Sequence, residues 1–392
     1  MGFESIEKDV VVSTNQTLNF ALKTGKIIGE EVVVSGTRAD DKTPTTFEDM
    51  NKQAIRDAHD ARNITSVLDQ AVSVVTTSDA GTGIGNVGYR LRGTDETRIN
   101  VTIDGVPLND PESQGAWFVN LPDFASSVDN LQIQRGVGTS SNGAAAFGAS
   151  INFQTLGFQS DPYAEINEVA GSFNTFKHNI NFGTGLMNGK FTVDGRLSKI
   201  TSDGFIDRAT SDLNSSYLAG TYYGKKTMIK FMMMTGKEKT YQAWDGVPSY
   251  ILDTNRSYNG IGAYNDANGQ LKYYDNETDN YSQTHYHLTF AHEFNAKFNL
   301  SATAFCTRGF GYYEQYKDDA KYSAYGVENQ IIGSDTLKRT DLIRRKYLDN
   351  YFYGITLATT YKPIDKLSVT LGGAANNYEG KHYGKVEWMQ VA

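Results

Sequence analysis

The feature that most constrains this chain is an alternation of period two. It begins near Tyr163 and recurs to near Ala374. In Phe176, His178, Ile180, Phe182, Thr184 and Leu186 alternate residues are mostly apolar, with Lys177, Asn179, Asn181, Gly183 and Gly185 between them. Tyr351, Tyr353, Ile355, Leu357, Thr359 and Tyr361 repeat it against Gly354, Thr356, Ala358 and Thr360. Leu367, Val369 and Leu371 repeat it against Ser368, Thr370 and Gly372. Successive strand side chains point to opposite faces, so each run carries one apolar and one polar face. A soluble sheet with one buried face shows this pattern, and so does a membrane barrel with lipid outside and a polar lumen.

Connection lengths separate the two. Tight turns fall at 187–190, 224–226, 295–297 and 362–365. They alternate with long connections at 201–214, 239–282 and 311–347. Short turns at one end and long loops at the other are the sidedness of an outer-membrane barrel, of which about nine strands are legible. The alternation and the sidedness together predict an antiparallel transmembrane β-barrel. No run approaches the ~18 apolar residues of a membrane-spanning helix.

The 392 residues suffice for two or three domains. High Gly (38), low Pro (7), 24 Tyr and 20 Phe suit strands joined by turns rather than disorder. The net charge of −8 leaves no basic footprint for nucleic acid. The single Cys306 forms no internal disulfide and reads as a quiet strand thiol. Met1-Gly2-Phe3-Glu4 lacks a charged segment followed by an apolar core. Either export is absent or the true start lies upstream.

Before Tyr163 the pattern is mixed. Residues 47–58 have helical periodicity, Asn63 is a plausible cap for a helix over 64–72, and a third short helix starts at Pro122. Arg92-Gly93 closes one short strand. Asp104-Gly105 within VTIDGVPL is a tight hairpin. Arg135-Gly136 ends the strand LQIQR, and a Gly/Ala/Ser tract over 138–150 leads into a strand at 151–155. Helices among short strands imply a compact α+β domain ending near Thr155.

The pieces LRG, TIDGVPL, LQIQRG and AAAFGASINFQT, in that order and spacing, resemble the plug domain of TonB-dependent outer-membrane receptors. The resemblance implies a plug over 47–158 and the N-terminal part of a barrel over 159–392. A barrel of about eight strands is filled by its own side chains and cannot hold a folded plug, whereas plugged outer-membrane transporters use about 22, so the expectation is an α+β plug domain followed by an incomplete antiparallel transmembrane β-barrel, with about nine of about 22 strands present. Residues 3–22 read as two strands, Val10–Val12 and Leu18–Leu22, around a turn at 14–16. They resemble the last hairpin of the carboxypeptidase-regulatory-like domain that precedes the plug in receptors of the Bacteroidetes type, which places that remnant at 1–24 and a linker at 25–46. Within the linker, Glu31, Val32, Val33 and Val34 form a β-branched run with an open edge, which invites strand addition by another chain. By resemblance this is a TonB box; an ordinary first plug strand is the alternative.

The resemblance also assigns sites. Arg92 and Arg135 would lock plug to barrel by pairing with glutamates on the inner wall, on strands beyond those present; surface arginines at turns are the alternative. Asp110, Glu112 and Trp117 lie in a plug loop that would face outside and touch ligand, although Trp117 could equally pack against the barrel. Loop-borne Trp244, Tyr250, Tyr258 and Tyr264 offer rigid contact area with polar tips, suited to ligand capture. Tyr312, Tyr313 and Tyr316 fall in the next loop, and Tyr241, Tyr281, Tyr312 and Tyr313 suit an interfacial girdle. His285 and His287 share a strand face while His292 points away, so no metal site is expected. Asp275 to Asp279 alternate acids but lack the later residues of a calcium loop and read as a solvated loop. No catalytic set and no cofactor motif stands out.

The implied function is active transport rather than catalysis. A scarce solute would bind outside and be imported with energy from a TonB-type partner across outer-membrane lipid. Asp279 to Tyr281, Gln283, His285-Tyr286 and 311–317 look like members that take up iron complexes. The alternative is a secreted all-β glycan-binding or adhesin module without transport.

Overall fold

The computed structural model describes residues 43–137, 143–155, 157–364 and 366–391, and before them positions 2–3, 17, 19–20, 24–25 and 38–39. Glu31, Val32, Val33, Val34 and the expected strand Val10–Val12 lie outside the described residues. Asn19 and Phe20 carry no strand; the ladder described in this region joins Gly2–Phe3 to Thr24–Gly25.

The first domain is built on a five-stranded sheet. Its elements are β1 (Thr46–Asn51), α1 (Lys52–Ala58), α2 (Thr65–Leu68), β2 (Val74–Ser78), β3 (Val87–Leu91), β4 (Thr94–Asp95), β5 (Ile99–Ile103), β6 (Val106–Pro107), β7 (Val128–Arg135) and β8 (Ala149–Thr155). The sheet order is β1-β7-β8-β5-β6, with β8 and β5 parallel; β2, β3 and β4 form a small second sheet. The Asp104-Gly105 turn joins β5 to β6 with positive φ at both residues (50° and 78°), as a tight hairpin requires.

Local reading fails at the helices. Residues 47–51 form a strand, not a helix, because β1 pairs along β7 from Thr46–Arg135 to Asn51–Asn130. The helix starts only after Asn51, whose Oδ1 accepts from the Ala54 amide at 2.9 Å. Helix α2 is four residues long instead of spanning 64–72, and Ser73 turns the chain away with φ 68°. After Pro122 there is a 3-10 turn, Phe124–Ser127.

The second unit is one antiparallel sheet of nine strands in chain order. They are β9 (Tyr163–Gly171), β10 (Thr175–Gly183), β11 (Phe191–Ser202), β12 (Ser211–Tyr223), β13 (Thr227–Tyr241), β14 (Thr278–Asn295), β15 (Phe298–Lys321), β16 (Arg339–Ile364) and β17 (Leu367–Met389). Each pairs with its sequence neighbours, and β9 and β17 do not pair, so the sheet is an open wall. Strand β17 runs to Met389, past the expected end near Ala374, because Asn376, Asn377 and Glu379 end its apolar alternation without breaking the ladder to β16. The long loops shrink to 203–210, 242–277 and 322–338 as the strands extend beyond the alternating stretch. Tyr312, Tyr313 and Tyr316 therefore sit on β15 rather than in a loop.

The alternation translates directly into two faces. Along β10, Thr175, Lys177, Asn179 and Asn181 are buried, while Phe176 and Ile180 are each 46% exposed on the outside. Over β10 to β13 the polar face is covered by the first domain, whereas β17 is exposed along nearly its whole length on both faces. One core cluster joins Ile99, Val101, Leu131, Ile133 and Phe153 of that domain to Tyr217, Ala219, Met232 and Met234 of the wall. Each such buried side chain contributes about 1.5–3 kcal/mol through removal from water. Met232 and Met234 face the core and Met233 faces out, as their parity requires.

Candidate functional site

The docked domain meets the wall through buried charge as well as apolar surface. Asp123 sits two residues after Leu121 in the turn that precedes the 3-10 segment, with φ 54°. Its Oδ1 lies 2.7 Å from Lys177 Nζ on β10 and 2.7 Å from His59 Nε2; its Oδ2 lies 3.3 Å from an Arg196 nitrogen on β11. Asn179 Nδ2 donates to Oδ2 at 2.5 Å. Burial alone would raise the Asp123 carboxyl. The His59 hydrogen bond and the Arg196 and Lys177 charges outweigh it and hold the group well below the usual carboxylate range. Arg196 Nη1 also donates to the carbonyls of Pro122 and Asp123, and Ser215 Oγ donates to Pro122 O at 2.7 Å.

A second contact lies at the hairpin tip. Asp104 accepts from the Thr155 amide at 2.9 Å and from Thr155 Oγ1 at 2.7 Å. Lys230 on β13 reaches Asp104 at 3.4 Å and Thr155 Oγ1 at 2.8 Å. Here too burial opposes ionisation, and Lys230 with the Thr155 donors overcomes it, so the carboxyl is held below its ordinary value. Two residues after Asp104, Val106 packs against Phe305 and Phe352 of the wall.

The remaining sequence-selected residues scatter over three places. Arg135 pairs with Glu48 of β1 and donates to Val72 O at 3.1 Å, all within the first domain. Arg92 is exposed at its turn, with φ 50°. Buried plug-to-wall ion pairs in the described residues run from acids on the plug, Asp104 and Asp123, to bases on the wall; the more exposed pair of Arg56 on α1 with Glu165 on β9, at 2.9 Å, runs the other way. Sequence reading missed Asp123, Lys177, Arg196 and Lys230. The signal was available: each of the three bases stands at a core-facing position of a strand whose other face is apolar.

In the loop after the hairpin, Asp110 organises the backbone: its Oδ1 accepts from the Glu112 amide (3.0 Å) and the Ser113 amide (2.7 Å). Glu112 reaches the wall, where Tyr378 Oη and His382 Nε2 on β17 both lie 2.8 Å from its Oε2. The His382 and Tyr378 hydrogen bonds hold the Glu112 carboxyl below its usual range. Trp117 is half exposed, its Nε1 donating to Ser113 Oγ at 3.0 Å.

Among the loop aromatics, Trp244 stacks edge-on to Tyr313 at 5.9 Å and Tyr264 lies 4.4 Å from Tyr316. Tyr250 is 84% exposed and Tyr258 is half buried. The girdle reading fails for Tyr281, which shares the core-facing side of β14 with His285 and His287 and bonds Asn350 Oδ1 at 2.9 Å. It can lie flat because Gly309 has no side chain: a Cβ there would sit 1.8 Å from the Tyr281 hydroxyl. Tyr313 shares that face, and Tyr241 is buried under the loop with its hydroxyl 2.9 Å from Tyr274 O. The solvated-loop reading of 275–279 also gives way at Glu277, which is 2% exposed and accepts from the Tyr316 amide at 2.8 Å. Burial pushes its carboxyl up to about 7. His285 and His287 face the core with ring centroids 6.4 Å apart, His292 bonds Thr227 on the other face, and the described residues hold no group of three or more metal-ligating side chains.

Residues 39–150 match the family model of the TonB-dependent receptor plug domain. No curated protein sequence matches the chain. Among solved structures it is similar to the ferric citrate transporter FecA in its unliganded form, with a TM-score of 0.65 at 14% identity over 89% of this chain and 50% of that one. The open form of the ferric-catecholate import receptor Fiu from E. coli K12 gives 0.64 at 15% over 87% and 50%. BauA, the ferric preacinetobactin receptor from Acinetobacter baumannii, gives 0.64 at 15% over 91% and 50%. The chain spans about half the length of these structures. The shared fold is a plug domain with a large antiparallel β-sheet, which in this chain is an open wall of nine strands.

Proposed function

We propose that this chain supplies the plug and part of the wall of an outer-membrane receptor in a Gram-negative bacterium. The receptor binds a scarce solute outside and imports it with energy from the TonB system; it does no chemistry on the solute. The observation that carries this reading is the two-sided wall, with Phe176, Ile180, Ile355 and Leu357 exposed on one face and a plug domain docked on the other. An apolar belt with a polar, occupied interior is what lipid outside and a gated path inside require.

An iron complex is the favoured solute. The matched structures named above are receptors and transporters of ferric complexes. The chain's own support is electrostatic: Lys346 lies over the Tyr313 ring at 5.8 Å, beside Trp244, and Arg344 neighbours them on the same wall face. Cations beside aromatic faces suit an anionic, planar-ringed complex. Asp110, Glu112, Trp117, Trp244, Tyr250, Tyr258 and Tyr264 are the proposed contacts.

Four further assignments belong to the same reading. Residues 1–24 are the end of a carboxypeptidase-regulatory-like domain of the Bacteroidetes type, 25–46 the linker, 47–158 the plug and 159–392 the wall. Glu31 to Val34 are the TonB box. Arg92 locks to wall glutamates, and Arg135 does so by exchanging Glu48. Outer-membrane lipid surrounds the wall.

Labelled ferric-complex uptake by cells expressing the full-length gene product tests the proposal. Deleting residues 31–34 should abolish uptake and leave surface binding intact; unchanged uptake removes the TonB-box assignment. A full-length product that stays soluble and monomeric without detergent ends the transporter reading.

A further inference from the structure

We infer that Asp123 is the anchor that holds one face of the plug on strands β10 and β11 while the solute passes, so that the plug rearranges away from this wall. The inference rests on the transport reading for its second half and on geometry alone for its first. The Asp123 carboxylate is enclosed and meets three wall side chains, Lys177, Arg196 and Asn179, on two strands. The carbonyls on either side of it are tied to the same strands or the next, through Arg196 and Ser215. The hairpin tip repeats the arrangement on β13, with Asp104 and Thr155 held by Lys230. Between the two contacts the apolar core is continuous from Ile99 and Phe153 to Met232 and Met234.

Lifting this face would take Lys177 and Arg196 from their shared acid while both stay buried in the wall, the least favourable way to break a buried ion pair. Arg135 contrasts with this, because the acid it meets here, Glu48, belongs to the plug itself, so it ties nothing to β10 or β11. The bases of β10 and β11 therefore mark out a retained face of the plug. Asp123 is a positioning residue: it acts through where the plug sits.

Two measurements test this on the full-length protein. In planar bilayers with rising urea, Asp123→Asn should conduct at clearly lower urea than the unaltered receptor. Asp123→Asn with Lys177→Met and Arg196→Met should recover toward the unaltered profile, since the acid and both wall bases are then neutral. The wall's resistance to heat in detergent should be unchanged in all three. Coincident urea profiles overturn the anchor, and so does a triple variant as leaky as the single one, which would assign the loss to packing.

The second measurement is a tether. A Cβ built on Gly85 of the plug lies 3.9 Å from the Ser211 Cβ on β12, within the range a disulfide spans. Gly85→Cys with Ser211→Cys, in a Cys306→Ser background, should take up the ferric complex within about twofold of its own reduced form. Because Gly85 has φ 78°, the reduced form of the same variant is the reference. Loss of uptake on oxidation that reductant restores overturns the retained face. Absent uptake in the untethered protein would count against the transport reading alone, and the urea series would still decide the anchor.

Discussion

Strand β5 of the plug and strand β10 of the wall are both short, central and hydrogen-bonded on both sides, yet they bury opposite sets of residues. In β5 all five positions, Ile99 to Ile103, are buried. In β10 burial alternates, and the buried set is Thr175, Lys177, Asn179 and Asn181, while Phe176 and Ile180 face out. Strand β5 alternates Ile99, Val101 and Ile103 with Asn100 and Thr102, and protein covers both of its faces, so the polar pair is buried with hydrogen-bond partners at Ala144 O and Asn152 Oδ1. Strand β10 separates two media, so its outer face must be apolar and its inner face must suit whatever occupies the lumen. The occupant is the acid-bearing surface of the plug, which is why a lysine can be buried at a position where β5 has a valine.

This contrast can be broken from either side, and the expected effects fall in order. Phe153 packs edge-on against Phe118 and Phe124, with centroids at 5.9 and 5.0 Å. Phe153→Ala should cost the plug about 3–5 kcal/mol in denaturant unfolding, whereas Ile180→Ala on the outer face should cost under about 1.5. Equal losses would mean that the outer face is packed against protein. Next, Ile355→Lys on the outer face of β16 should lower folding into lipid vesicles by about 2–4 kcal/mol, and by little in solution-like detergent-free assays of the plug core. An unaffected vesicle-folding yield would sink the lipid-facing assignment.

A third test concerns pH and is confined to the loops. Glu277 has its carboxyl raised by burial to about 7, so the fold favours its neutral form. Its contribution is complete below the ordinary glutamate range and is lost as pH rises through about 7. Protease cleavage within 242–277 should therefore quicken above that pH, and Glu277→Gln should flatten the profile. For Asp123 the sign is reversed: the depressed carboxyl stabilises above the ordinary range, and the contribution disappears only in strong acid. The smallest expected effect is at a cap. Asn51→Ala removes the hydrogen bond to the Ala54 amide and should cost about 1 kcal/mol, seen as faster hydrogen exchange in α1.

Much of the wall was legible because period two is written residue by residue. The strand starts near Tyr163, the tight turns at 187–190 and 224–226, and the outward facing of Tyr351, Tyr353, Ile355 and Leu357 all follow from local sequence. The plug's hairpin at Asp104-Gly105 was equally legible, since that dipeptide accepts positive φ twice. The first plug strand was not. Residues 47–51 carry helical spacing, and they extend only because β7 offers them a ladder. Tyr281 was misplaced for a related reason: a tyrosine near a strand end suits either an interface or a core, and Gly309 on the neighbouring strand decided it.

The sequence by itself determined the alternation, the turn positions and the sidedness of the connections, because these depend on residues adjacent along the chain. Only the tertiary structure decided that Asp123 meets Lys177 and Arg196, that Glu112 meets Tyr378 and His382, and that Arg135 keeps an acid of its own domain. Those pairs join residues far apart in sequence, and the energy of a buried charge is set by what surrounds it rather than by its neighbours in the chain.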